Sequence, residues 1–152
     1  MGRPVSVEAE RDGWTWAILF VRWVLGLIFL MAGWWKVFEL GPLEHARQLF
    51  VMPYAASWIP TWLLWALGTT IPFVELLAGG LVCLGWRLRE ATIALGAILV
   101  VVAYGHLLRD ALFDTTHHIF PRLVLLTFVL VAPRDRDLLS CDSWLRRRLR
   151  ER

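Results

Sequence analysis

"RWVLGLIFLMAGWWK", residues 22–36, opens on an arginine, closes on a lysine and carries no charge between them. Most of the interval is apolar and suits a bilayer interior better than water. Arg22, Gly26, Phe29, Gly33 and Lys36 follow one another at steps of four, three, four and three. That spacing puts them on one face of a helix. A helix that only had to be greasy would not set two cations and two glycines on one stripe. Charges inside a membrane face a bundle interior, and small residues let a second helix come close.

The rest of the chain agrees with a membrane solvent. Its 152 residues suggest one domain, 58% are hydrophobic and only 19% are charged. The mean hydropathy is +0.56. Ten tryptophans fit the boundary between hydrocarbon and headgroups. A hydrocarbon core about 30 Å thick needs ~20 mostly apolar helical residues. Four segments meet that description: residues 14–35, 61–86, 90–113 and 117–132. Pro121 and Arg122 interrupt the first turns of the fourth. The expected fold is all-α, an integral membrane four-helix bundle forming a single domain over 1–152. Between the first two spans, Leu43, Ala46, Leu49, Phe50 and Tyr54 share a face. They predict a short interfacial helix ending near Pro53.

Seven of the sixteen basic residues lie between Arg134 and Arg152. With both termini cytoplasmic, that Arg-rich tail (133–152) joins Arg3, Arg11, Arg87 and Arg89 on the inner side, as the positive-inside rule favours. Anionic lipid is the natural neighbour of such a tail, and no nucleic-acid reading motif accompanies it. The N-terminus reads as leading into an uncleaved first span. Cys83 and Cys141 form no C-x-x-C pair, so no dithiol chemistry is visible.

Within the second span, Gly68, Pro72, Glu75, Gly79 and Cys83 make another small-residue stripe with one charge. Counted inward from Trp14 and Trp86, Arg22 and Glu75 lie roughly 12 and 16 Å deep at 1.5 Å per residue. The expectation is an Arg22–Glu75 pair in the core, with Gly26, Gly33, Gly68 and Gly79 permitting the approach. The pair is either structural or part of a ligand or proton site. A second polar group is expected on the outer side. Lys36, His106, Arg109, Asp110, His117 and His118 are its members and the candidate lining of a ligand or quinone pocket. Their spacing matches no closed metal motif, and no metal is expected. No catalytic residue can be named from the pattern.

The R-x3-G-x2-F-x3-G-x2-K stripe, the segment "PFVELLAGG" (72–80), Gly85 with Arg89, and "LLSCDSWLRR" (138–147) together resemble the DoxX family of small four-helix bacterial membrane proteins. That resemblance implies a place in the bacterial inner membrane and a subunit of a quinone-linked respiratory or sulfur-oxidising assembly. It implies no covalently bound cofactor, with quinone as the candidate carrier, and partner subunits or further copies of the chain in the bilayer. No haem, flavin or nucleotide motif is present. The alternatives are a non-catalytic scaffold that binds a partner protein and a small transporter. The lack of an inverted repeat weighs against the transporter.

Overall fold

The computed structural model describes residues 5–112, 114 and 116–150, with the side chains of 12–112, 114 and 116–149. Arg3, Phe113 and Arg152, on which the topology and the end of the third expected span drew, lie outside the described residues. Among these residues the chain is all-helical, without strands. Helix α1 (Val5–Trp34) runs into a π-helical segment, Trp35–Glu39. The short α2 (Pro42–Ala46) runs into another, Arg47–Val51. Then come α3 (Thr61–Leu84), α4 (Leu88–Arg109), α5 (Ile119–Val131) and α6 (Cys141–Arg150).

Among the described residues, three stretches are long and apolar enough to cross a membrane: Asp12–Glu39, Thr61–Leu84 and Leu88–Arg109. Within the expected fourth span, 117–132, lies a shorter apolar helix of 13 residues, Ile119–Val131. At 1.5 Å per residue it rises ~20 Å, short of the hydrocarbon thickness. Its end is set by Pro133, which drives Ala132 into an extended backbone (ψ 140°). Its start lies after the two histidines, which sit in the preceding turn.

The buried core joins four helices. Leu25 and Phe29 of α1 meet Ala78 and Val82 of α3, Ala91, Leu95 and Leu99 of α4, and Leu126 and Val129 of α5. Phe20, Trp23, Met31, Leu77 and Val100 point outward and exposed. That surface suits hydrocarbon rather than water.

Small residues set how closely α1 and α3 cross. A Cβ on Gly79 would run into the backbone of Leu30, one on Gly33 into the backbone of Leu76, and one on Gly26 into Cys83. Gly68 plays the same part for α2, because its missing side chain makes room for Ala46. The described part of the chain also closes on itself. The Thr15 hydroxyl in α1 donates to the Arg136 carbonyl (2.8 Å). The Asp142 amide donates to the Gly85 carbonyl (3.0 Å). The Asp142 carboxylate in turn accepts the amides of Arg87 and Leu88 at the start of α4, at 3.0 and 3.2 Å. It caps α4 from 54 residues away in sequence. Gly85, at φ +66°, makes the turn, and any side chain there would strike the Arg22 guanidinium and Ser140.

The segment after α1 is helical over Pro42–Ala46 and Arg47–Val51, ending near Pro53 as expected. Of the expected face, Ala46 is buried against α3 and Phe50 and Tyr54 are half-buried, while Leu43 and Leu49 are exposed; His45, which that face left out, is buried as well. A histidine in a buried position is what a hydrophobic periodicity count passes over.

Candidate functional site

Pro72 lies inside α3. A proline has no amide hydrogen, so the carbonyl four residues earlier, Gly68, loses its helical donor. In a bilayer such a group needs a substitute. The His45 Nδ1 lies 2.7 Å from the Gly68 oxygen, in a residue only 2% exposed. A carbonyl only accepts, so Nδ1 carries the hydrogen. Burial pushes the His45 imidazole below its ordinary pKa; the Gly68 carbonyl pulls it upward, and Lys36 nearby lowers it further. His45 is therefore a neutral imidazole with Nδ1 protonated and Nε2 left as an acceptor.

Lys36 stands in the π-helical segment after α1 and donates to Glu75 Oε2 at 2.6 Å. Glu75 is nearly buried, at 7% exposure, whereas Lys36 is reached from one side. The expected Arg22–Glu75 contact is thus replaced by two other pairs. Arg22, 1% exposed, bonds Asp137 at 3.1 Å and donates to the Leu139 carbonyl at 3.0 Å. The reason is register. Gly33 meets Leu76, and Arg22 reaches the turn at Gly85. The two charge levels are therefore about 16 Å apart at about 1.5 Å per residue, too far for one arginine. Counting inward from tryptophans misplaced both helices, because α1 begins well before Trp14.

Next to Lys36 and His45 lies a cavity of about 340 Å³ between α2, its π-helical extension, α3 and α4. Its wall is largely aliphatic and aromatic: Phe50, Leu64, Leu67, Ile71, Val101 and Val102. The polar groups that reach it are Lys36, His45, Gln48, Tyr54, Tyr104, His106 and Arg109. The Arg109 guanidinium sits 6.0 Å from the Tyr54 ring centre. Burial raises the Tyr54 phenol above its usual range, with Arg109 pulling the other way, so the phenol stays protonated and can donate. The arrangement suits a molecule with an apolar body and a polar head needing both donors and an acceptor.

Of the six residues expected to form the outer polar group, Lys36, His106 and Arg109 line this cavity. The other three do not. Asp110 closes α4 and accepts the Leu112 amide. His117 is exposed and pairs with Asp114. The His118 carbonyl accepts from Arg122 on the surface. Asp110 follows the last residue of α4, and His117 and His118 stand in the turn before α5, His118 still close enough to act electrostatically on His106. Among the described residues no three His, Cys, Asp or Glu side chains gather as a metal site would require. Sequence reasoning missed His45, Tyr54 and Asp137 as site or partner residues. A signal existed for His45: a proline four residues after a glycine leaves a carbonyl that some donor must meet.

A family model described as methylamine utilisation protein MauE matches residues 14–115, about two thirds of the chain. The matched region runs from α1 through α4 and contains every residue of the cavity. It is a different family from DoxX, so the DoxX resemblance is overturned. The stripe and "PFVELLAGG" motifs that carried it are packing features of small membrane helices. No curated protein and no solved structure matches the chain.

Proposed function

The chain belongs to the MauE family, and from that premise we propose that it is a multi-pass membrane accessory subunit serving a redox partner in methylamine utilisation. Its cavity then holds the head of a membrane-soluble carrier of the quinone class. The observation that carries this reading is the cavity itself: a largely aliphatic slot of about 340 Å³ whose lining includes a neutral imidazole, a protonated phenol and the cations Lys36 and Arg109. Such a donor and acceptor set fits carbonyl or hydroxyl oxygens on an apolar ring. When bound, a quinone would supply the electron-carrying capacity that the chain's own motifs lack. Lys36, His45, Tyr54 and Arg109 would hold and orient its oxygens, and the apolar wall would exclude water from it.

The reading places the chain in the bacterial inner membrane with both termini cytoplasmic and with partner subunits or further copies beside it. Purification in native-lipid nanodiscs, followed by mass spectrometry, tests the ligand. Quinone is expected to co-purify and to be lost when Val101→Trp fills the slot. Absence of quinone, or equal retention in that variant, rejects the carrier site. Growth on methylamine of a strain lacking the gene, restored by the intact chain, tests the family role separately.

A second reading keeps the membrane subunit and removes the ligand. Lys36 and Glu75 satisfy one another at 2.6 Å without a guest. In that scaffold reading, the Val101→Trp variant supports growth as well as the intact chain does.

A further inference from the structure

Helix α6 carries an apolar arc that none of the described residues covers. Trp144, Leu145 and Leu149 are 54%, 46% and 66% exposed. At about 100° per residue they span roughly 140° of the helix circumference. A different face is turned to the protein: Ser143 is buried, and its hydroxyl donates to the Leu138 and Ser140 carbonyls. Arg146 and Arg147 flank the arc. Arg148 lies within it, its guanidinium 4.0 Å from the centre of the Trp144 ring.

The depth of this helix is fixed. Its second residue, Asp142, is bonded to Gly85, Arg87 and Leu88, the turn that joins two membrane-crossing helices. That turn separates two helices long and apolar enough to cross a membrane, and it holds exposed Trp86, a residue type that favours the bilayer interface. Among the described residues of α6, Asp142 is the only acid, and its carboxylate is occupied as the cap of α4. Arg146 donates to the Arg134 carbonyl and Arg148 lies over Trp144, and among the described residues neither is paired with a carboxylate. We propose that α6 lies flat on the anionic phospholipid headgroups of the same bilayer that α1, α3 and α4 cross. Trp144, Leu145 and Leu149 dip into the acyl boundary, and Arg146, Arg147 and Arg148 bind lipid phosphates. Ten residues are too few to span, but an apolar arc edged by arginines at headgroup depth is the pattern of an interfacial helix.

The test uses the full chain in nanodiscs of phosphatidylcholine alone or with about one third phosphatidylglycerol. Amide hydrogen exchange over residues 143–149 is expected to slow about tenfold in the anionic discs, a gain on the scale of one or two arginine–lipid contacts. Arg146→Gln, Arg147→Gln and Arg148→Gln together should abolish the difference between the two lipids. A bimane label on Leu149→Cys, in a chain with Cys83 and Cys141 changed to Ala, should be quenched by headgroup-proximal spin-labelled lipid. Equal exchange in both lipids overturns the proposal. So does protection that follows the number of chains per disc rather than lipid charge, since that outcome assigns the arc to a second copy.

Discussion

The Gly68 carbonyl, released by Pro72, is held by one imidazole, and the consequences can be measured. His45→Leu should destabilise the detergent-solubilised protein by about 1–3 kcal/mol, because it leaves a buried acceptor unmet. Pro72→Ala restores an amide that can reach Gly68, so the double variant should lose less than the two single losses combined. Thermal melts of the four proteins decide this, and strict additivity would count against the bond. His45 also sets a pH dependence. Its folded pKa lies below the unfolded value of about 6.5, so the unfolded chain takes up the proton first. The stability due to neutral His45 is complete above that value and declines as pH falls through it toward the folded pKa. Melts from pH 8 to pH 5.5 should show this decline, and His45→Leu should flatten it. The ion pairs make a second residue-scale prediction. Lys36→Met and Glu75→Gln should be strongly coupled, as should Arg22→Gln and Asp137→Asn. Each single change should cost about 3 kcal/mol by stranding a buried charge. Arg22→Gln and Glu75→Gln should combine additively, since about 16 Å separates their levels.

At the scale of the helices, two adjacent glycines in α3 have opposite expectations. Gly79→Ala forces a Cβ against the Leu30 backbone and should cost about 1–3 kcal/mol. Gly80→Ala meets nothing nearer than the tip of Leu30 at 3.8 Å and should be neutral or mildly stabilising. Circular-dichroism melts of the two variants give the comparison, and equal losses would remove the close-crossing account. These glycines also show what the sequence made legible. Periodicity found the α1 and α3 stripes and the three long helices, because apolar spacing and small-residue spacing are local properties. Register is not local. Which residue of α1 stands opposite Glu75 depends on where each helix begins, and tryptophans marked those starts poorly. Lys36, His106 and Arg109, three of the six residues expected in the outer polar group, line the cavity, since they stand near helix ends. His45 and Tyr54, which also line it, are not legible that way, since only the fold of the segment after α1 turns them inward. α5 is shorter than the expected fourth span because Pro133 stops it, yet it returns the chain from the Arg109 end of α4 to the end that holds Arg22 and Gly85.

For the molecule as a whole, the bond from Thr15 to Arg136 and the pair Arg22–Asp137 bring the start of α1 and the segment after α5 to one end. A C-terminal reporter is therefore expected to give the cytoplasmic signal that the arginine-rich tail favours. An insertion reporter between Gly41 and Trp58 should give the opposite one. Signals of the same sidedness would reject the arrangement. The family match ends at residue 115, so the carboxylate that neutralises Arg22 comes from outside the matched region. That fact bears on synthesis. Arg22 leaves the ribosome 115 residues before Asp137, an interval of about 6–23 seconds at 5–20 residues per second. Throughout it the first helix must sit at the membrane with its cation unmatched, held near water or lipid phosphate. A stretch of chain made 115 residues later is thus what commits the first helix to its final depth. A nascent chain released before Asp137 should present a helix that quality-control proteases recognise as incomplete.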